Sequence, residues 1–175
     1  MLVDRYQQPM LRLACTMVPS RAVAEEAVQD TWMGVVRGVH RFEGRSSFKT
    51  WLFRILVNRA RSLGTSEQRY VPVDPGPAVD PGRFDAAGAW AEPVEPWADA
   101  SDARLDAAAW APAIKAALDG LPPRQRQVVL LRDVEGLSGS EVSAVLGISL
   151  GNQRLLLHRA RNRLREAVTA AGGRA

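Results

Sequence analysis

Six prolines, Pro72, Pro75, Pro77, Pro81, Pro93 and Pro96, interrupt the middle of this 175-residue chain. A proline inside a helix loses a hydrogen bond and clashes with the preceding turn, so no long helix can run through that stretch. Between Thr65 and Ala103 there is also no sustained apolar period, only Pro, Ala, Gly and Asp with Trp90 and Trp97 as local anchors. The chain is therefore predicted to be all-α: two small helical domains, residues 1–64 and 104–170, joined by a flexible acidic linker, residues 65–103.

Charge divides the chain in the same way. Gly64 to Asp106 holds nine acids against three bases, a net −6, so the rest carries +10 of the overall +4. Two basic lobes flanking an acidic connector suit a polyanionic partner. The single cysteine, Cys15, excludes an intramolecular disulfide and a cysteine-rich zinc site; it is expected as a small buried apolar residue. Two histidines, His40 and His158, fall on separate lobes, and no Gly-rich phosphate loop is present. No cofactor, metal or catalytic residue is expected. No apolar run approaches the roughly 18 residues of a membrane span, and no signal peptide opens the chain. These features predict a soluble, cytoplasmic protein that makes no membrane contact of its own.

In the first lobe Leu2 to Val18 is helical in period, with Val3, Tyr6, Met10, Leu13 and Met17 on one stripe and a bend or break at Pro9. Ser20 can cap a second helix from Arg21 to about Val39, burying Val23, Ala27, Val28, Thr31 and Val35. Its first half carries Glu25, Glu26, Gln29 and Asp30, either an ordinary solvated face or a docking surface for a basic partner helix. After the loop Arg41 to Ser47, a helix over Phe48 to Leu63 has Phe48, Trp51, Leu52, Ile55, Leu56 and Ala60 inward, with Gly64 as its stop. Its other face shows Lys49, Arg54, Asn58 and Arg61. Bases interleaved with Phe42, Phe48, Trp51 and Phe53 suit single-stranded nucleic acid, where charges track phosphates and rings take unstacked bases. Phe48 and Trp51 read mainly as core, whereas Phe42 and Asn58 are the better base contacts.

In the second lobe, Leu105 to Leu118 is an amphipathic helix with Leu105, Ala109, Ile114 and Leu118 in its stripe and Pro112 as a kink. Pro122-Pro123 opens the next helix, which ends at Gly136. Ser138-Gly-Ser-Glu141 is a capping box, and Val142, Val145 and Leu146 lead to a turn at Gly147. Ser149 can cap a last helix carrying Arg154, Arg159, Arg161, Arg163 and Arg165. A short helix, a glycine turn and a longer basic helix outline a helix-turn-helix.

Taken together, Ala24-Glu-Glu-Ala-Val-Gln-Asp-Thr-Trp32, Arg41 to Asn58 and Leu121 to Arg165 resemble the extracytoplasmic-function sigma factors of bacterial RNA polymerase. The resemblance covers both lobes and leaves out the connector. It implies a three-to-four-helix region 2 domain and a four-helix region 4 domain, in a promoter-recognition subunit without enzymatic activity. Glu26, Gln29 and Asp30 look like the surface that docks on the β′ coiled coil of core polymerase, with the β flap as a further contact. Phe42, Gly44, Arg45, Ser46, Ser47, Lys49, Arg54, Asn58 and Arg61 look like the site that captures and holds the single-stranded −10 element, trapping unstacked bases at a few kcal/mol each. Asn152, Arg154, Leu155, His158 and Arg159 look like the readers of the duplex −35 element. An anti-sigma partner is also implied. The last helix departs from the common pattern: Gln153 stands where an apolar residue is usual, and Leu155 can meet a thymine methyl but not a hydrogen-bonding base edge. A stand-alone helix-turn-helix regulator leaves the first lobe unexplained, and a polymerase-binding decoy leaves the basic faces as solubilising surface only.

Overall fold

The computed structural model describes residues 2–67 and 103–172, so most of the predicted linker lies outside the described residues. Among these residues the secondary structure is entirely helical. Helices α1 (Leu2–Ala14), α2 (Arg21–Gly38) and α3 (Phe48–Glu67) form the first lobe. The second comprises α4 (Ala103–Asp119), α5 (Pro123–Val129), α6 (Gly139–Leu146) and α7 (Leu150–Gly172).

In the first lobe, α1 runs through Pro9 without the expected break, burying Tyr6, Met10, Leu11, Leu13 and Ala14. Val3, placed by periodicity on the inner stripe, is 44% exposed, because α1 begins only one residue earlier and its first turn projects past the bundle. Cys15 is exposed, contrary to expectation: it falls just beyond the end of α1, in the turn leading to α2. Ser20 caps α2 as predicted, its hydroxyl accepting from the Val23 amide at 3.3 Å.

Helix α3 does not stop at Gly64 but continues to Glu67. Gly64 has another role, since a Cβ there would lie 3.0 Å from the Met17 carbonyl. The missing side chain lets α3 press against the turn after α1; it does not end the helix. Within α3, Leu52, Phe53, Leu56, Val57 and Ala60 are fully buried, with Phe48, Trp51 and Ile55 packed at the edge. Phe53 is core and cannot reach a base, which corrects its inclusion among the nucleic-acid aromatics.

In the second lobe Pro123 opens α5 and Gly147 closes α6 at φ +62°. After α5 the chain winds one π-type turn, Leu130–Val134, and the Glu135 amide donates to the Leu130 carbonyl at 2.9 Å. Gly136 then leaves the helix at φ +71°. Val128, Val129, Leu130 and Leu131 are buried as expected, while Ile114 is 40% exposed. Pro112 lies inside α4.

Buried residues of both lobes form one continuous apolar cluster. The lobes therefore pack on one another, chiefly through α3 and α6.

Candidate nucleic-acid interface

The helix-turn-helix has the predicted local geometry. Ser138 accepts from the Glu141 amide at 3.2 Å, and Glu141 Oε2 accepts from the Ser138 amide at 2.8 Å, completing the capping box. The Ser149 hydroxyl accepts from the Asn152 amide at 3.2 Å and starts α7. On α7, Gln153, Leu157 and Ala160 are buried, a stripe of helical period that seats the helix. Asn152 is exposed, and Arg154, Leu155, His158 and Arg159 are half-buried on the flanking and opposite faces. The Asn162 amide lies 2.9 Å from His158 Nε2 and donates to it, fixing the ring on its helix.

Gln153, the departure noted above, is only 2% exposed, and its Nε2 finds no partner. It fits because residue 139 is glycine; a Cβ there would lie 3.1 Å from Gln153 Oε1. Two of the arginines that make α7 basic serve the fold. Arg161 forms a two-pronged pair with Asp133, at 3.0 and 2.6 Å, which raises its pKa through hydrogen bonding despite burial. Arg163 donates to the buried Gln125 at 3.3 Å.

At the other end, Phe42 joins Phe48, Trp51 and Tyr6 in an aromatic cluster. Its ring lies 5.1 Å from Trp51 and 6.1 Å edge-on from Phe48, and Phe48 lies 6.1 Å from Tyr6. Phe42 is thus braced by rings and only half-exposed. Gly44 turns the loop at φ +69°, and Arg45 pairs with Glu43 at 2.6 Å. Ser46 is exposed, with its hydroxyl 3.4 Å from the Ser47 carbonyl. Arg54 and Asn58 are exposed one turn apart on α3.

Ser47, Lys49 and Arg61 behave differently, because the second lobe engages all three. Ser47 and the buried Thr50 donate to Glu141 Oε1 at 3.2 and 2.7 Å. Lys49 pairs with the Glu135 carboxylate at 3.1 Å and donates to the Glu135 carbonyl. Arg61 donates to the Leu146 carbonyl at the end of α6. Burial, and then neighbouring Arg124, lower the pKa of the Arg61 guanidinium. Arg12 adds a contact to Glu135 at 3.3 Å. Periodicity within each lobe could not reveal these partners; only the Ser47-x-x-Thr50 spacing hinted at a capped, polar helix start.

Glu141 is therefore held by both lobes. Its carboxyl is held down to about 2, most by the Thr50 hydroxyl, then by the Ser138 amide and hydroxyl and by Ser47, with burial opposing. Since the folded value lies below the ordinary 4.5, this contact adds stability above that pH and loses it as pH falls towards 2. The melting-temperature gap between wild type and Glu141→Gln will accordingly be constant from neutrality to about pH 5 and close below it. A gap unchanged down to pH 2 would contradict the assignment.

The acidic face of α2 is open: Glu26, Gln29 and Asp30 are all exposed. The sequence reading missed that the same face continues into Met33, 52% exposed, and Val36, 71% exposed. The signal was available, since both follow Glu26, Gln29 and Asp30 at helical spacing.

Comparison with known proteins agrees with this arrangement. Residues 2–70 match the family Sigma-70 region 2, and residues 112–164 match Sigma-70, region 4. The chain is 34% identical over 171 residues to the ECF RNA polymerase sigma factor SigE of Mycolicibacterium smegmatis, covering 94% of this chain and 59% of that protein. It is 30% identical over 161 residues to the ECF RNA polymerase sigma-E factor of Salmonella typhimurium, covering 92% of this chain and 81% of the relative. Among solved structures it is similar to the sigma factor RpoE in complex with the anti-sigma factor NepR from Bartonella quintana, with a TM-score of 0.60, 27% identity and 96% of each chain covered. It is also similar to CnrH in complex with the cytosolic domain of CnrY, with a TM-score of 0.54, 25% identity, and 97% of this chain and 86% of that one covered. With both regions present in order and relatives matched along nearly the whole chain, this protein belongs to the ECF sigma factors of RNA polymerase.

Proposed function

We propose that the chain binds core RNA polymerase in the cytoplasm and directs initiation at particular promoters, with no catalytic activity of its own. The observation that carries this reading is the pairing of an open acidic–apolar face on α2 with a well-capped helix-turn-helix at the far end of the chain. A stand-alone regulator would use only the second. In this reading residues 1–64 form the polymerase-binding and −10-reading unit, 65–103 the linker, and 104–170 the −35-reading unit.

Glu26, Gln29 and Asp30, extended by Met33 and Val36, dock on the β′ coiled coil, and the second lobe meets the β flap. The braced loop at Phe42, Gly44, Arg45, Ser46 and Ser47, with Lys49, Arg54, Asn58 and Arg61 on α3, holds the separated −10 strand. Stacking on a pre-packed ring lowers the ordering cost of capturing an unstacked base. Asn152, Arg154, Leu155, His158 and Arg159 meet the −35 duplex. The solved relatives in complex with anti-sigma factors support such a partner here.

Promoter selection tests the reading. Arg154→Ala will weaken recognition of one promoter element by about 10-fold to 100-fold, the size of a lost base contact, while polymerase binding is kept. Footprinting with core polymerase separates the two effects. Loss of polymerase binding with recognition of the duplex intact would overturn the assignment of the second lobe.

A further inference from the structure

We propose that the cleft between α3 and α5 is a binding site for a small phosphate ester carrying free hydroxyls, the size of a sugar phosphate or a mononucleotide. Such a ligand lies outside promoter recognition as described above, and its binding stands or falls independently of it. Arg61 alone is common to both.

The turn after α1, the second half of α3 and the connection from α4 into α5 enclose a cleft of about 500 Å³. Small-molecule sites span ~300–1,000 Å³. Three arginines line it, Arg61, Arg124 and Arg126, against one carboxylate, Asp119. Asp119 is already shared, by Arg126 at 2.5 Å and Lys115 at 3.6 Å. Arg124 is exposed and has no carboxylate partner among the described residues. Its charge bears on Arg61 instead: burial, and then Arg124, lower the pKa of the Arg61 guanidinium. Like charges held together in a recess favour a bound anion.

Two further atoms specify more than charge. Arg126 Nε is buried without a partner, a donor left over after the pair with Asp119. Gln127, which lines the same cleft, is only 5% exposed. Its Nε2 donates to the Thr16 carbonyl at 3.3 Å, which sets the amide's orientation and leaves Oε1 without a partner. A buried acceptor left unmet is costly, and only a donor relieves it. A hydroxylated phosphate ester brings anionic oxygens to the guanidiniums and an O–H to Gln127. Met17, Val18, Leu121 and Pro123 give its carbon frame an apolar wall. A DNA strand offers phosphates too, but its internal diesters have neither the second charge of a monoester nor a free hydroxyl.

The test uses the full chain, whose single cysteine, Cys15, is exposed and lines the same cleft. Calorimetry measures binding of ribose 5-phosphate and adenosine 5′-monophosphate, and the rate of Cys15 alkylation by iodoacetamide reports where they bind. At least one of the two is expected to bind and to slow alkylation. Arg124→Ala should weaken that binding about tenfold, the size of one lost charge-assisted contact. Arg165→Ala, exposed on α7, should leave it unchanged. Circular dichroism checks that both variants fold. Adenosine, which lacks the anion, and sulfate, which lacks the donor, should each bind at least about tenfold more weakly than the ester.

No binding by either ester overturns the proposal. So does binding indifferent to Arg124, equal weakening by Arg165→Ala, unchanged Cys15 alkylation, or adenosine or sulfate binding as tightly. A short single-stranded DNA oligonucleotide is tested alongside. If it alone protects Cys15 through Arg124, the cleft is a strand groove and the ester site falls.

Discussion

Reversing Asp30 to arginine is expected to cut transcription by about a hundredfold or more through lost polymerase binding, with the fold intact. Asp30 is fully on the surface of α2, beside Glu26 and Gln29 and one turn before exposed Met33, so the substitution touches no core contact. Against a basic partner helix it replaces attraction with like-charge contact, which costs several kcal/mol at an interface. Thermal melting should be unchanged within the range of surface substitutions, about 0.5 kcal/mol. Co-migration with core polymerase on a sizing column is the measurement. Undiminished co-migration would place the docking face elsewhere, and Met33→Asp is the complementary probe of its apolar half.

Phe53→Ala is expected to have the largest effect on stability, about 3–5 kcal/mol, as for other buried aromatic truncations. Phe53 is completely buried among Leu52, Leu56 and Val57 and the helices α3 faces, and it is among the largest fully buried side chains. A loss of that size is a large part of the 5–15 kcal/mol that holds an ordinary domain together. Urea denaturation will show it as a lowered midpoint. Its neighbour Arg54 is exposed, so Arg54→Ala should leave the midpoint almost unmoved and weaken DNA binding instead. A Phe53→Ala loss below about 1 kcal/mol would mean that the site collapses around the gap.

The contrast between Phe53 and Arg54 shows how far sequence reasoning reaches in α3. Periodicity found the helix and most of its inner face. It offered Phe53 as a nucleic-acid aromatic because a helix packed on two sides buries a wider arc than one stripe predicts. Gly64 was read as a stop because glycine is common at helix ends, whereas here it admits the Met17 carbonyl at 3.0 Å. Local chemistry was more dependable. The Ser20 cap, the Ser138–Glu141 box, the proline start of α5 and the left-handed Gly147 all involve groups within a few residues of one another. Such groups meet whatever the rest of the chain does.

Cys15 and Gln153 mark the limit. One was expected inside and is exposed; the other is a polar residue that is buried, because a glycine fourteen positions earlier leaves it room. Neither follows from nearby sequence. The sequence by itself determined the helices, their caps, the two basic lobes and the family they resemble, because periodicity, charge and capping are short-range properties. Only the tertiary structure decided that Ser47, Lys49 and Arg61 meet Glu141, Glu135 and the end of α6. Those partners lie some 85 to 94 residues apart, so packing between lobes, and no local rule, brings them within hydrogen-bonding distance.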